Sequence, residues 1–88
     1  MQSQKRVIFL VMTRRGFESY CQLSNGTRAS LWISAGVLTP EEISDLRARG
    51  LDVTNFSSEI HPRDVDAVAD AISTIREHHP NEPLWVEG

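Results

Sequence analysis

The sequence predicts an α/β (α+β) fold: a single small domain, residues 1–88, with a mixed sheet, a β-hairpin and two helices packed on it. Three observations carry this prediction. The run RVIFLVM at 6–12 has six apolar residues in unbroken succession after Arg6, as in a strand buried on both faces. A turn signal, SNGT at 24–27, separates two alternating segments. Two later segments have helical periodicity and each precedes a strand, so the predicted order is βββαβαβ.

The first strand is predicted from about Arg6 to Thr13. The basic turn Thr13-Arg14-Arg15-Gly16 follows it, and we expect this turn to reverse the chain into an antiparallel second strand.

Residues 17–33 are predicted to form the hairpin, with Ser24–Gly26 as a three-residue loop. A two-residue loop would place Glu18 and Gln22 on the apolar face, so the longer loop is favoured. One face then carries Phe17, Cys21, Leu23, Ala29, Leu31 and Ile33. The other carries Glu18, Tyr20, Gln22, Arg28, Ser30 and Trp32.

Both helices have recognisable starts. Thr39-Pro40-Glu41-Glu42 is a capping box with proline at the first helical position, and Gly50 ends this helix. The second helix is predicted over about Pro62 to His78, because Val65, Val68, Ala69, Ile72 and Ile75 recur at helical spacing. Strands are predicted at Leu51–Phe56 and Pro83–Glu87.

Composition narrows the class of protein. The net charge is -3 and the pI is near 5.5, which argues against a general nucleic-acid or membrane-surface binder. A single cysteine excludes an internal disulfide framework, and no apolar run is long enough to span a membrane. A cytoplasmic location is therefore predicted. A domain this small is marginally stable, so homodimerisation is a reasonable expectation.

Chain direction suggests one site. If the third, fourth and fifth strands run parallel to the first, the segments 13–16, 34–36 and 56–58 meet at one sheet edge with both helix starts. Ligands of open α/β sheets bind at this edge. We therefore predict a site for an anionic ligand, such as a phosphate or carboxylate. Its residues are Arg14, Arg15, Ser57, Ser58 and Thr39. The alternative is that the two arginines only keep a turn soluble, since Glu41, Glu42, Glu59 and Asp64 offset their charge.

The polar hairpin face suggests a second site. Tyr20, Arg28 and Trp32 share it, and exposed aromatic residues often anchor protein partners. The alternative is that a helix covers this face and that both aromatic residues belong to the core. A hypothesis that these aromatic residues stack on nucleic-acid bases is weaker, because the protein carries a net negative charge.

No catalytic residue, metal ligand or cofactor is predicted. His61 and His78 lie about 25 Å apart along one helix, and adjacent His78 and His79 point apart. Cys21 falls on the apolar hairpin face, where a thiol is a small core residue. Whether the protein is an enzyme stays open. The leading hypothesis is a non-enzymatic module that binds another protein or itself through the hairpin. The alternative is a small enzyme or sensor for an anionic metabolite.

Overall fold

A computed structural model describes residues 6–24 and 29–87 of the chain. Within these residues four strands alternate with three helices: β1 (Val7–Val11), α1 (Arg14–Leu23), β2 (Ala29–Ile33), α2 (Pro40–Ala48), β3 (Asp52–Asn55), α3 (Val65–His78) and β4 (Leu84–Val86). The strands form one sheet in the order β3-β2-β1-β4, and every neighbouring pair is parallel. The α/β class is confirmed, but the prediction of a mixed sheet is wrong.

The predicted hairpin is also wrong, because its first arm is helix α1. The segment fits two periods: Phe17, Cys21 and Leu23 alternate, whereas Phe17 and Tyr20 lie three apart, as on one side of a helix. The helical period prevails because parallel β1 and β2 need a crossover connection, and a helix also covers the sheet. The Tyr20 ring packs edge-on against Phe9, with ring centroids 5.2 Å apart. The predicted loop lies partly at 25–28, outside the described residues.

Because this segment is a helix, two residues that were predicted on the apolar face are exposed. Cys21 was predicted in the core, but it is exposed on α1. Partial burial nevertheless raises the pKa of its thiol, a shift that Arg49 and Arg14 oppose. Leu23 is 54% exposed. Alternation therefore gave the wrong inward face for this segment.

The two predicted helices are present. In α2, the Thr39 hydroxyl accepts from the backbone N–H of Glu42, and the Glu42 carboxylate accepts from the backbone N–H of Thr39. Gly50, at φ +85°, follows this helix. The third helix begins at Val65 rather than near Pro62, because Asp64 caps it by accepting from Ala67.

The sheet separates two apolar layers. Helices α1 and α2 cover one face, where the buried residues are Phe9, Val11, Tyr20, Leu31, Ile33, Leu38, Ile43, Leu46 and Val53. Helix α3 covers the other face, where they are Ile8, Leu10, Met12, Trp32, Ile60, Ala71 and Ile75. Because α3 crosses to the far side of β1, the strand order reverses beside β1, with β4 as its new neighbour.

Polar side chains secure the rim of this sheet. Arg47 donates through Nε and Nη2 to the backbone carbonyl of Val53 on edge strand β3, at 3.3 and 2.9 Å. At the amino ends of the strands, the Ser30 hydroxyl donates to Asp52 at 2.6 Å, and Arg6 pairs with the same carboxylate at 3.1 Å. Across residues 6–24 and 29–87, no helix has the length and apolar character needed to cross a membrane.

Candidate functional site

The carboxyl ends of all four strands lie at one edge of the sheet, because the strands are parallel. The three helices begin at the same edge, with Thr13, Thr39 and Asp64 as their N-caps. The predicted meeting of segments 13–16, 34–36 and 56–58 is thus confirmed, although the chain arrives there through α1 instead of a hairpin.

A cleft of about 380 Å³ opens at this edge. It is lined by the end of β1, by the segment after β2 and by the segment that leads into α3, namely residues 12–13, 34–37, 59–62 and 64. Its polar lining includes the Thr13 hydroxyl, the carboxylates of Glu59 and Asp64, and the imidazole of His61. Of these residues, Glu59 and Asp64 carry carboxylates, and one Asp64 oxygen accepts from the backbone N–H of Ala67.

Ser34 holds the two loops of the cleft together. Its side chain is 2% exposed, its hydroxyl accepts from the backbone N–H of Ile60 at 2.8 Å, and it donates to the carbonyl of Ala35 at 3.2 Å. The N–H of Ala35 donates to the carbonyl of Ser58 at 3.2 Å. The Glu59 carboxylate lies beside Gly36, whose φ of +85° favours glycine. These bonds hold the segment after β2 and the segment that leads into α3 against each other.

The turn between β1 and α1 (residues 12–16, the β1–α1 turn) holds a carboxylate, that of Glu87. One Glu87 oxygen accepts from the backbone N–H groups of Met12 and Thr13, at 2.6 and 2.9 Å. The other accepts from the Thr13 hydroxyl, which in turn accepts from the N–H of Gly16 at 3.1 Å. The contact is so close that a Cβ built on Gly16 would overlap the carboxylate and lie 2.9 Å from Glu87 Cγ. The N–H groups and the hydroxyl of this turn therefore hold a carboxylate of the chain itself.

Sequence reasoning missed Glu87 as a site residue. It was predicted only as the end of a short last strand, and 74 residues separate it from Thr13. No local pattern marks such a partner. The parallel pairing of β4 with β1 is what carries Glu87 to the turn.

The predicted anion residues reach this edge, but two of them are already engaged. The Arg14 guanidinium pairs with both oxygens of Glu42, at 3.0 and 2.6 Å, and Glu42 belongs to the capping box that Thr39 begins. The Arg14 hydrogen bonds, followed by that from the Thr39 N–H, lower the pKa of Glu42 to about 2. Arg14 is thus paired within the protein rather than presented to a ligand.

The other predicted anion residues are dispersed. Arg15 and Ser57 are exposed, and Ser58 is exposed beside a separate cavity of about 240 Å³ against α3. The five residues do not converge on one point. Their role in binding an anion stays a prediction.

Two of the three residues predicted to bind a partner are buried. Tyr20 is 2% exposed and Trp32 is 7% exposed, and they lie in the apolar layers on opposite faces of the sheet. The Trp32 ring is flanked by Phe56 and by the imidazoles of His78 and His79. Arg28 lies outside the described residues. Binding to another protein, or to a second copy, stays a prediction without the hairpin that suggested it.

No protein-family model, curated protein or solved structure matches this chain. What the carboxyl edge can bind follows from its own chemical groups. Donors converge in the β1–α1 turn, whereas Glu59 and Asp64 add carboxylates to the lining of the cleft. Within the described residues, no three histidine, cysteine, aspartate or glutamate side chains are grouped to hold a metal ion.

Proposed function

We propose that this protein binds, at the carboxyl edge of its sheet, a small polar molecule that carries both an anionic group and an amino or hydroxyl group. The observation that carries the proposal is the carboxylate of Glu87 held by the β1–α1 turn beside an open cleft. The proposal develops the sequence-based alternative of a small sensor or enzyme for an anionic metabolite. Reaction chemistry is not part of it.

The turn supplies the anionic end of the site. Its two backbone N–H groups and one hydroxyl are directed at a single carboxylate, and such charge-assisted bonds are stronger than neutral ones. Carboxylate and phosphate oxygens accept hydrogen bonds of the same kind. Met12 and Thr13 also line the cleft, so an anion seated on the turn borders the space available to the rest of the molecule.

The acidic residues of the cleft argue against a purely anionic ligand. Glu59 and Asp64 line the cleft, and a second negative charge near them would be repelled. An ammonium or hydroxyl group, in contrast, would donate to these carboxylates. The volume, about 380 Å³, lies at the lower end of ordinary ligand pockets and suits a small metabolite.

A panel of matched compounds tests this proposal. Acetate and ethylamine each carry one of the two features, whereas serine and phosphoserine carry both. A ligand at about 100 times its Kd stabilises the folded state by about 2.7 kcal/mol, an upward Tm shift of about 11–22 °C for a domain of this size. We expect the two-feature compounds to raise Tm more than equal concentrations of acetate and ethylamine added together.

The variant Glu59→Gln removes one proposed contact to the amino group and should reduce the stabilisation. Glu77→Gln, on the exposed side of α3, removes the same charge away from the cleft and should leave it unchanged. Equal stabilisation of wild type and Glu59→Gln, or no stabilisation by any compound of the panel, would contradict the proposal.

A further inference from the structure

We infer that Glu87 is an internal occupant of the β1–α1 turn, which an external carboxylate or phosphate must displace, so that ligand binding releases the end of β4. The inference rests on the proposed function, since it concerns the regulation of the same site. In the ligand-free state the donors of the turn pair with Glu87, and in the ligand-bound state the same donors pair with the external anion.

The donors admit only one anion at a time. The backbone N–H groups of Met12 and Thr13 each carry one proton, and both are directed at one oxygen of Glu87. The Thr13 hydroxyl has one proton as well, and it donates to the other oxygen. The close approach of Glu87 to Gly16 leaves no space for a second group there. An incoming anion therefore competes with Glu87 directly.

The strand that carries Glu87 is held by few groups. β4 has three residues, all half-buried, and it lies at the edge of the sheet with β1 as its neighbour. Beyond β4, the N–H of Glu87 donates to the carbonyl of Leu10 at 3.0 Å, and the carboxylate supplies the remaining described bonds of this residue. Short edge segments with few buried contacts open at low free energy.

Side-chain packing holds the rest of β4 in place when Glu87 is released. The Trp85 ring packs on Phe9, with centroids 5.3 Å apart, and Leu84 and Val86 pack in the layer beneath α3. Displacement of Glu87 therefore frees the end of the strand while its body remains paired. Occupancy of the cleft is thereby linked to the freedom of Glu87 at the end of β4.

The test is a titration of the full chain with inorganic phosphate, followed by amide NMR chemical shifts. In Glu87→Ala the turn is vacant, so we expect phosphate to bind at least tenfold more tightly than to wild type, with the largest shifts at Met12 and Thr13. Glu87→Gln keeps the side-chain length but removes its charge, so an intermediate affinity is expected. This second variant also serves if Glu87→Ala is poorly folded.

Two further variants distinguish displacement of Glu87 from a general effect of negative charge on phosphate binding. Glu59→Gln removes a charge from the same cleft without opening the turn, and Glu77→Gln removes one from the exposed side of α3. We expect the first to strengthen phosphate binding by no more than a few-fold and the second to leave it unchanged. In wild type, phosphate at saturation should also accelerate hydrogen exchange of the Glu87 amide.

The outcomes distinguish the two proposals. If phosphate binds wild type and Glu87→Ala equally, with shifts at Met12 and Thr13 in both, internal competition is wrong and the ligand site stands. If Glu59→Gln tightens binding as much as Glu87→Ala, the effect is a general one of charge and the inference is again wrong. If phosphate moves neither amide in any variant, the turn is not an anion receptor and both proposals fail.

Discussion

Replacement of Gly16 by alanine should report directly on the contact between Glu87 and the β1–α1 turn. Gly16 is the third residue of α1, and its φ is negative, as a helix requires. An alanine there suits the helix backbone, but its Cβ would occupy the space that the Glu87 carboxylate fills. Glu87 must therefore leave the turn in Gly16→Ala.

Two opposing terms set the expected free energy of unfolding. Glycine costs a helix about 0.5–1 kcal/mol relative to alanine. Each hydrogen bond to a charged group contributes about 1.5–3 kcal/mol, and we count about one such bond for the whole Glu87 contact, because the displaced carboxylate regains water. Gly16→Ala should thus destabilise wild type by about 1 kcal/mol. In a Glu87→Ala background the contact is already absent, and the same change should stabilise by about 0.5–1 kcal/mol.

A double-mutant cycle measured by urea unfolding tests this change of sign. The coupling free energy between positions 16 and 87 should be about 2 kcal/mol. A difference of this size in the free energy of unfolding shifts the urea midpoint by about 0.7–2 M, which is easily measured. Gly16→Ala in a Glu77→Ala background is the matched control and should show no coupling. Equal effects of Gly16→Ala in wild type and in Glu87→Ala would mean that Glu87 does not occupy the turn.

Two further predictions concern charged groups elsewhere in the fold. Because Arg14 and the Thr39 N–H lower the pKa of Glu42 to about 2, from an ordinary value of 4.5, the folded state is favoured above pH 4.5, and this contribution is lost as pH falls through about 2. Unfolding curves between pH 5 and 2 should therefore show a weaker loss of stability in Glu42→Gln than in wild type, and parallel curves would contradict the pairing. Arg47→Met should uncover the Val53 carbonyl on β3 and promote strand-edge association, visible as a rise in mass by light scattering. A mass equal to that of wild type would show that Arg47 does not protect this edge, and Arg76→Met on α3 is the control.

Much of the fold was predictable because its signals are local. The apolar run at 7–12 identified β1, the capping box at Thr39 identified α2, and the periodic stripe from Val65 to Ile75 identified α3. The edge where the strands end was also predictable, because parallel strands joined by helices must point the same way. Each of these inferences uses residues within one element or two adjoining ones.

The segment 17–23 shows where local signals were insufficient. Its residues fit an alternating strand and a helix about equally well, and the turn signal at Asn25-Gly26 favoured the wrong choice. The conformation is decided by the pairing of β1 with β2, which is parallel and leaves Phe9 to be covered by Tyr20. That decision needs a tertiary contact. The exposed position of Cys21 and the burial of Tyr20 and Trp32 follow from it.

By itself, the sequence determined the apolar strands, two of the three helices and a polar edge that collects the ends of the strands. Only the tertiary structure decided which groups meet there. Glu87 reaches Met12 across 75 residues because β4 pairs with β1, and Arg14 is claimed by Glu42 because α1 and α2 begin side by side. The physical reason is range: capping and periodicity act over about four residues, whereas a site is assembled by strand order.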